Sequence, residues 1–241
     1  MPFQPFLELP DTHPALTHSP MIRGLGHTFS YIAESGPIGL TPSGAFKRVF
    51  VQWAAQAFDW PGHRPEDLYA VNKVLNEWDF FPLGELHDIM LALKIGRHFK
   101  GEFRLTPFGK TFVGHPGQLF ALVAPFYLFR VDHDRHARRK EEPLLGNWDI
   151  FLNVINFEAE GGMSGEHLRK VLYGPSEAGL HYDPVAGNLR LQVLRPLCWL
   201  GLLQVVGEDR VLHDNTYAKT PLWYAALRLD TDGARRPIAK H

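Results

Sequence analysis

Twice in this chain a short strand-like run ends in Thr-Pro and passes directly into a helix-like segment. The first is Leu105-Thr106-Pro107, in RLTPFGKTF, and the second is Lys219-Thr220-Pro221, in AKTPLWYAAL. Threonine can cap a helix by accepting from an orphan backbone N–H, and proline suits the first helical position, where its missing N–H would have no partner. The same programme precedes both: an apolar helical stretch, then two short runs separated by turn residues. Aligning the two Thr-Pro pairs sets LALKIG opposite CWLGLL. Such a repeat favours two small units, each of helices closed by a β-hairpin. At 241 residues the chain is long enough for two separate cores.

In the first half, Phe46, Val49, Phe50 and Trp53 fall at i, i+3, i+4 and i+7, which predicts an amphipathic helix capped by Ser43. WPGHRP breaks it. Leu68, Val71, Val74, Leu75 and Trp78 predict a shorter helix over 68–78, and Leu86, Ile89, Met90 and Leu93 a third over 83–93. IGRHFKGEFRL then reads as a tight hairpin about Lys100-Gly101. In the second half, Asn147 is positioned to cap a helix whose apolar face is Trp148, Phe151, Leu152 and Ile155. Ser164 opens another, which Gly174 stops. LRLQVLRPLCWLGLLQVV reads as a buried helix, begun late or kinked at Pro196, that leads into a strand. These segments place a first unit over 43–115, a connector over 116–146, a second unit over 147–230 and a tail over 231–241. The connector pairs a helix, bent or split at Pro125, with the self-cancelling run RVDHDRHARRKEE. Residues 1–42 hold seven prolines and read as an extended arm.

The order of three helices, hairpin and Thr-Pro helix resembles the winged helix-turn-helix regulators, whose wing is commonly followed by an LTPxG segment. Taken over 38–230, LTPSGAFKRVF, FFPLGELHDIMLALKIGRHFKGEFRLTPFGKTFV and LRPLCWLGLLQVV before TPLWYAAL resemble more closely the helical region of bacterial plasmid-type open-reading-frame proteins of unknown function. The strand-rich domain that often precedes that region has no counterpart here. The fold class so implied is mainly α (α+β): two winged-helix-like units with small β-hairpin wings, joined by a helical connector. No catalytic residue comes with the resemblance.

Composition narrows the function classes. With 25 basic and 26 acidic residues the whole chain exerts no long-range pull on polyanions, so any such affinity must be local. The single cysteine, Cys198, excludes an internal disulfide and a CxxC-type zinc site, and its apolar surroundings make it a small core hydrophobe. MPFQPFLELP is not a signal peptide, and LFALVAPFYLF is too short to cross a bilayer, so a cytoplasmic protein with no membrane partner is expected. GLGHTF lacks the third glycine of a dinucleotide fingerprint. His133, His136, Asp132 and Asp134 are ligand types, but beside Arg135, Arg138, Arg139 and Lys140 they read as a solvated linker. His181-Tyr182-Asp183 has no recognisable nucleophile near it. No cofactor or metal is expected, and an enzyme, which would need a pocket gathering His or carboxylate groups from separate segments, stays a third alternative.

Local charge points to the first wing. Lys94, Arg97, Lys100, Arg104 and Lys110 face only Glu102 over 94–110, a local excess of four positive charges suited to phosphate contacts. The third helix, with Glu85 and Asp88 and no basic residue, is a poor groove reader. In the second unit Arg190 and Arg195, near or on the third helix, are further candidates for nucleic-acid contact, while its wing, with Glu208, Asp209 and Arg210, is nearly neutral. The aromatic residues Trp53, Trp78, Trp148, Trp199 and Trp223 read mainly as core. The expected role is nucleic-acid association, with DNA meeting the first wing. The alternative is an interaction or scaffold module that binds a protein partner or a second copy.

Overall fold

The computed structural model describes residues 3–133, 144–176, 183–207 and 215–234. The chain divides into two compact units, Leu9–Val123 and a second that joins Met1–Glu8 to the chain from Ala124 onward. Helix α6 (Pro116–Arg130) begins in the first and continues into the second, with Pro125 inside it.

The first unit runs α1 (Pro20–Ser35), β1 (Ile38–Gly39), α2 (Arg48–Ala57), α3 (Pro65–Val71), α4 (Phe81–Ala92), β2 (Gly96–Phe99), β3 (Glu102–Leu105) and α5 (Pro107–Lys110). Its strands form an antiparallel sheet in the order β1-β3-β2, with Ile38 opposite Phe103 and Phe99 opposite Glu102. The core gathers Met21, Leu25 and Phe29 of α1, Phe50 and Ala54 of α2, Leu86 and Met90 of α4, and Phe103 of β3.

Three sequence expectations change here. Residues 20–35 are helical rather than part of an extended arm. Their prolines sit where a helix tolerates them: Pro20 is in the first turn behind the Ser19 cap, and Pro37 follows the positive-φ Gly36. The glycines of GLGHTF lie within this helix, and a Cβ on Gly24 would come 2.8 Å from the Leu86 side chain, so Gly24 permits close α1–α4 packing. Helix α2 starts at Arg48 and Ser43 does not cap it, because Phe46 is held in a bridge with Leu40. Its buried face is Phe50, Val51, Ala54 and Ala55, which leaves Val49 71% exposed. Helix α3 ends at Val71, and a 3-10 turn, Glu77–Asp79, lies where the helix over 68–78 was expected to continue.

The second unit runs α7 (Trp148–Glu158), β4 (Met163–Ser164), α8 (Gly165–Tyr173), α9 (Pro184–Leu189), a π-helical turn Arg190–Leu194, α10 (Arg195–Leu200), β5 (Leu203–Val206), β6 (Thr216–Lys219) and α11 (Pro221–Ala226). Asn147 and Ser164 cap as expected, each accepting from the backbone N–H three residues on. The widened π turn just ahead of Pro196 accommodates a residue that cannot donate to the helix ladder. The sheet order is β4-β6-β5, with Met163 opposite Tyr217. Phe6 bridges Leu227, so the start of the chain belongs to this unit.

The repeat read from the two Thr-Pro pairs is structural. Thr106 N–H bonds the Ile95 carbonyl and its hydroxyl donates to Lys94 O, while Thr220 N–H bonds Leu202 O and its hydroxyl donates to Gly201 O. Lys94 (φ 57°) and Gly201 (φ 80°) are the left-handed residues that end α4 and α10. LALKIG therefore does fall opposite CWLGLL.

Candidate functional site

The first hairpin turns on Lys100 (φ 51°) and Gly101 (φ 75°), the pair of positive φ angles that matches the twist of a two-residue turn. Strand alternation then separates two faces. Arg97, directly opposite Arg104, and Phe99, opposite Glu102, share one face; His98 and Phe103 share the other.

On the first face three cations converge on one exposed ring. The Arg97 guanidinium lies 5.3 Å from the Phe99 centroid, Lys100 Nζ 5.4 Å and the Arg104 guanidinium 5.5 Å. Phe99 is 41% exposed. Each contact is favourable because the ring face is electron-rich. Like charges directly across a strand pair are unfavourable, and Glu102, 2.6 Å from Arg104, offsets only part of that. Lys94 and Lys110 are exposed at the ends of the same segment.

On the opposite face a chain of ionisable groups runs from the interior to the hairpin. Glu77, 3% exposed, accepts from the Phe46 backbone N–H and lies 2.6 Å from His87 Nδ1. His87, 5% exposed, places Nε2 2.9 Å from His98 Nε2, at the surface. The Phe46 ring stacks on His87 at 3.9 Å, and the Phe103 ring meets both of them edge-on. Two donors on the carboxylate hold the His87 ring in one orientation and leave its second nitrogen for His98. Burial lowers the His98 pKa below its ordinary value; His87 adds to this and Glu77 opposes it.

Helix α4 has no groove-reading face, since Pro82 through His87, Ile89 and Met90 are all buried. Glu85 is among them, and so is not a surface carboxylate.

The remaining basic candidates belong to the second unit. Arg190 and Arg195 are half-buried on the π turn and α10, and Arg195 packs over Trp199 at 5.1 Å. Glu208, Asp209, Arg210, Asp134, His136, His181 and Tyr182 lie outside the described residues. Asp183 caps α9. Burial raises the Cys198 thiol to about 12, which removes it as a nucleophile at neutral pH. A shallow cleft of about 370 Å³ lies between α1 and 112–119, lined in part by Ile22, Arg23, His27 and His115. There Arg23 already donates to the carbonyls of Thr17, Phe58 and Asp59. Among the described residues no three His, Cys, Asp or Glu side chains are grouped to hold a metal ion, and no helix is long and apolar enough to cross a membrane.

Comparison with known proteins gives this architecture a family. Residues 17–118 match the Y4jL N-terminal domain and residues 137–221 the y4jL C-terminal domain. An uncharacterised protein, y4jL, of Sinorhizobium fredii (strain NBRC 101917 / NGR234) is 44% identical over 160 residues, covering 66% of this chain and 72% of the relative. The chain belongs to the y4jL family. No solved structure matches it.

In this y4jL family member the cations of the first hairpin are legible in the sequence as a charge excess. Glu77, His87 and His98 are not, because three separate elements bring them together. One signal does exist: His87 follows Leu86 on a largely apolar helix, and a polar group buried in such a place requires a partner.

Proposed function

We propose that the protein is a nucleic-acid-associated module of two winged-helix-like units, and that it meets phosphate backbone through the β2–β3 hairpin. The observation that carries this is the convergence of Arg97, Lys100 and Arg104 on exposed Phe99 with one carboxylate among them. Cations concentrated at the tip of a projecting hairpin can replace condensed counterions along a polyanion. The element order supports the fold reading: in each unit a helix, a short strand, further helices and a hairpin, with the last strand central in the sheet. The burial of α4 makes this contact one to backbone, without choice of sequence. The role rests on fold-level analogy plus this one charged surface.

The test is binding of a mixed-sequence duplex across a salt series. Wild type should bind at low salt and weaken steeply. The Arg97→Ala/Lys100→Ala/Arg104→Ala variant should lose most of that affinity, while Lys73→Ala/Lys170→Ala/Arg228→Ala, which removes the same charge elsewhere, should keep it. Equal losses in the two variants would refute the assignment.

A second reading, a protein-interaction module, is favoured by a separate surface. Tyr69, Val71, Val74 and Trp78 are 41%, 82%, 43% and 64% exposed within ten residues of chain. Apolar groups clustered in this way mark contact surfaces between proteins. Solution mass measured before and after Val71→Ser/Trp78→Ser tests it: a wild-type dimer that becomes a monomer in the variant supports the reading, and a monomer in both removes self-association.

A further inference from the structure

We propose that Glu77, His87 and His98 form a single-proton relay whose charge appears at the hairpin, so that phosphate binding there is coupled to protonation of His98 Nδ1. The relay stands on geometry alone, and the coupling rests on the nucleic-acid reading above.

The number of hydrogens along the chain fixes where the charge sits. Glu77 accepts from Phe46 N–H and from His87 Nδ1–H. His87 Nε2 is then a bare acceptor, and the 2.9 Å link to His98 is made by His98 Nε2–H. This leaves the lone pair of the chain on His98 Nδ1, at its surface end. One proton from solvent can add there without altering any bond in the chain. A second would have to enter between the two Nε2 atoms, a position already filled by one hydrogen. The two imidazoles therefore hold one added charge between them, at the hairpin.

The groups around His98 set the direction of the coupling. From α4 it meets His87, and through it Glu77 of the 3-10 turn. From β3 it meets the Phe103 ring, and from the 41–45 turn Gly44, where a Cβ would come 3.3 Å from His98 Cε1. Arg97, Lys100, Glu102 and Arg104 belong to the same two-stranded hairpin, with Arg97, Glu102 and Arg104 on its opposite face. Burial and His87 disfavour a charged His98, and the Glu77 carboxylate favours it. A phosphate drawn in by the arginines adds negative charge to the hairpin, which favours the charged form of His98. Proton and polyanion then assist each other, reciprocally.

Imidazole ¹H–¹⁵N spectra from pH 8 to pH 5 test the relay, with His98→Gln assigning the signals among 13 histidines. His98 Nδ1 should gain the proton while His87 Nδ1–H persists throughout. Independent protonation of both rings, or loss of His87 Nδ1–H in that range, would overturn it. Duplex binding at constant ionic strength, compared at pH 8 and pH 6, tests the coupling. Wild type should gain about fivefold on acidification, and His98→Gln should gain much less. The same gain in both overturns the coupling. No binding at either pH refutes the nucleic-acid reading and the coupling with it, while the spectra still decide the relay.

Discussion

The two hairpins share a frame and differ in what it presents. Anchored by Thr106 and Thr220, their registers set Phe103 against Tyr217, both buried and both paired with the short first strand of their sheet. At the equivalent outward positions the first hairpin has Arg97, Phe99 and Arg104, and the second has Gln204, Val206 and Ala218. His98 corresponds to Val205, which is 45% exposed. The second unit's strand cation, Lys219, is drawn inward to Asn156 O at 2.8 Å and Glu160 at 2.6 Å. A common scaffold thus keeps the inward residue of its central strand, while its outward residues are free to diverge. The charged hairpin, and not the frame, carries the proposed activity.

The frame itself is tested by the largest effects. Trp223, buried with Nε1 on Asn156 at 2.9 Å, occupies the position equivalent to Gly109. Trp223→Ala should cost about 3–5 kcal/mol, read as weakened amide protection in the second unit during denaturant-dependent hydrogen exchange. Gly109→Ala would place a Cβ 1.9 Å from the Ile95 carbonyl oxygen, a backbone atom that cannot turn aside. That overpacking should cost about 1–3 kcal/mol, with protection weakened over α5 and β2. If either variant matched wild type, the two Thr-Pro junctions would not be the closures described.

Binding differences come next. Removing Arg97, Lys100 and Arg104 together should flatten the log–log salt dependence by roughly 0.9 for each phosphate that is no longer neutralised. Gln204→Arg/Ala218→Arg, which copies the cross-strand pair onto the second hairpin, should steepen it. Phe99→Ala changes no charge but releases three cations from one ring. It should weaken binding by about 0.5–1 kcal/mol, the size of an exposed cation–π interaction, with an unchanged salt slope.

The smallest expected effect is on pH dependence of stability. Because the folded pKa of His98 lies below its ordinary 6.5, the unfolded chain binds more protons between those two values. His98 therefore favours folding above about 6.5, and that contribution declines as pH falls through the window. His98→Gln should remove this part of the acid sensitivity in chemical denaturation from pH 8 to pH 5. A steeper acid loss in the variant would contradict the assigned direction.

How far the sequence can be read follows from where the information lies. Hairpin, caps and Thr-Pro closures are local, so Lys100-Gly101, Asn147, Ser164, Thr106 and Thr220 can be assigned from their neighbours. Helix α1 is obscured when prolines are counted over residues 1–42 rather than located; none lies between Met21 and Ser35. The face of α2 is misplaced because Val49 is apolar, although the i, i+4 pair Phe50 and Ala54 and their neighbours Val51 and Ala55 are what pack inward. The charge excess over 94–110 is visible, but its collection about Phe99 depends on strand alternation and register. The Glu77–His87–His98 chain depends on tertiary packing, and no local pattern contains that.

Amide chemical shifts of the intact protein, recorded as a mixed-sequence duplex is added at low salt, test the central claim most directly. The changes should centre on 94–110, strongest at Arg97–Arg104, with 203–206 and 216–219 unaffected. Changes centred on the second hairpin or on Tyr69–Trp78, or none at a duplex concentration that saturates binding, would contradict it.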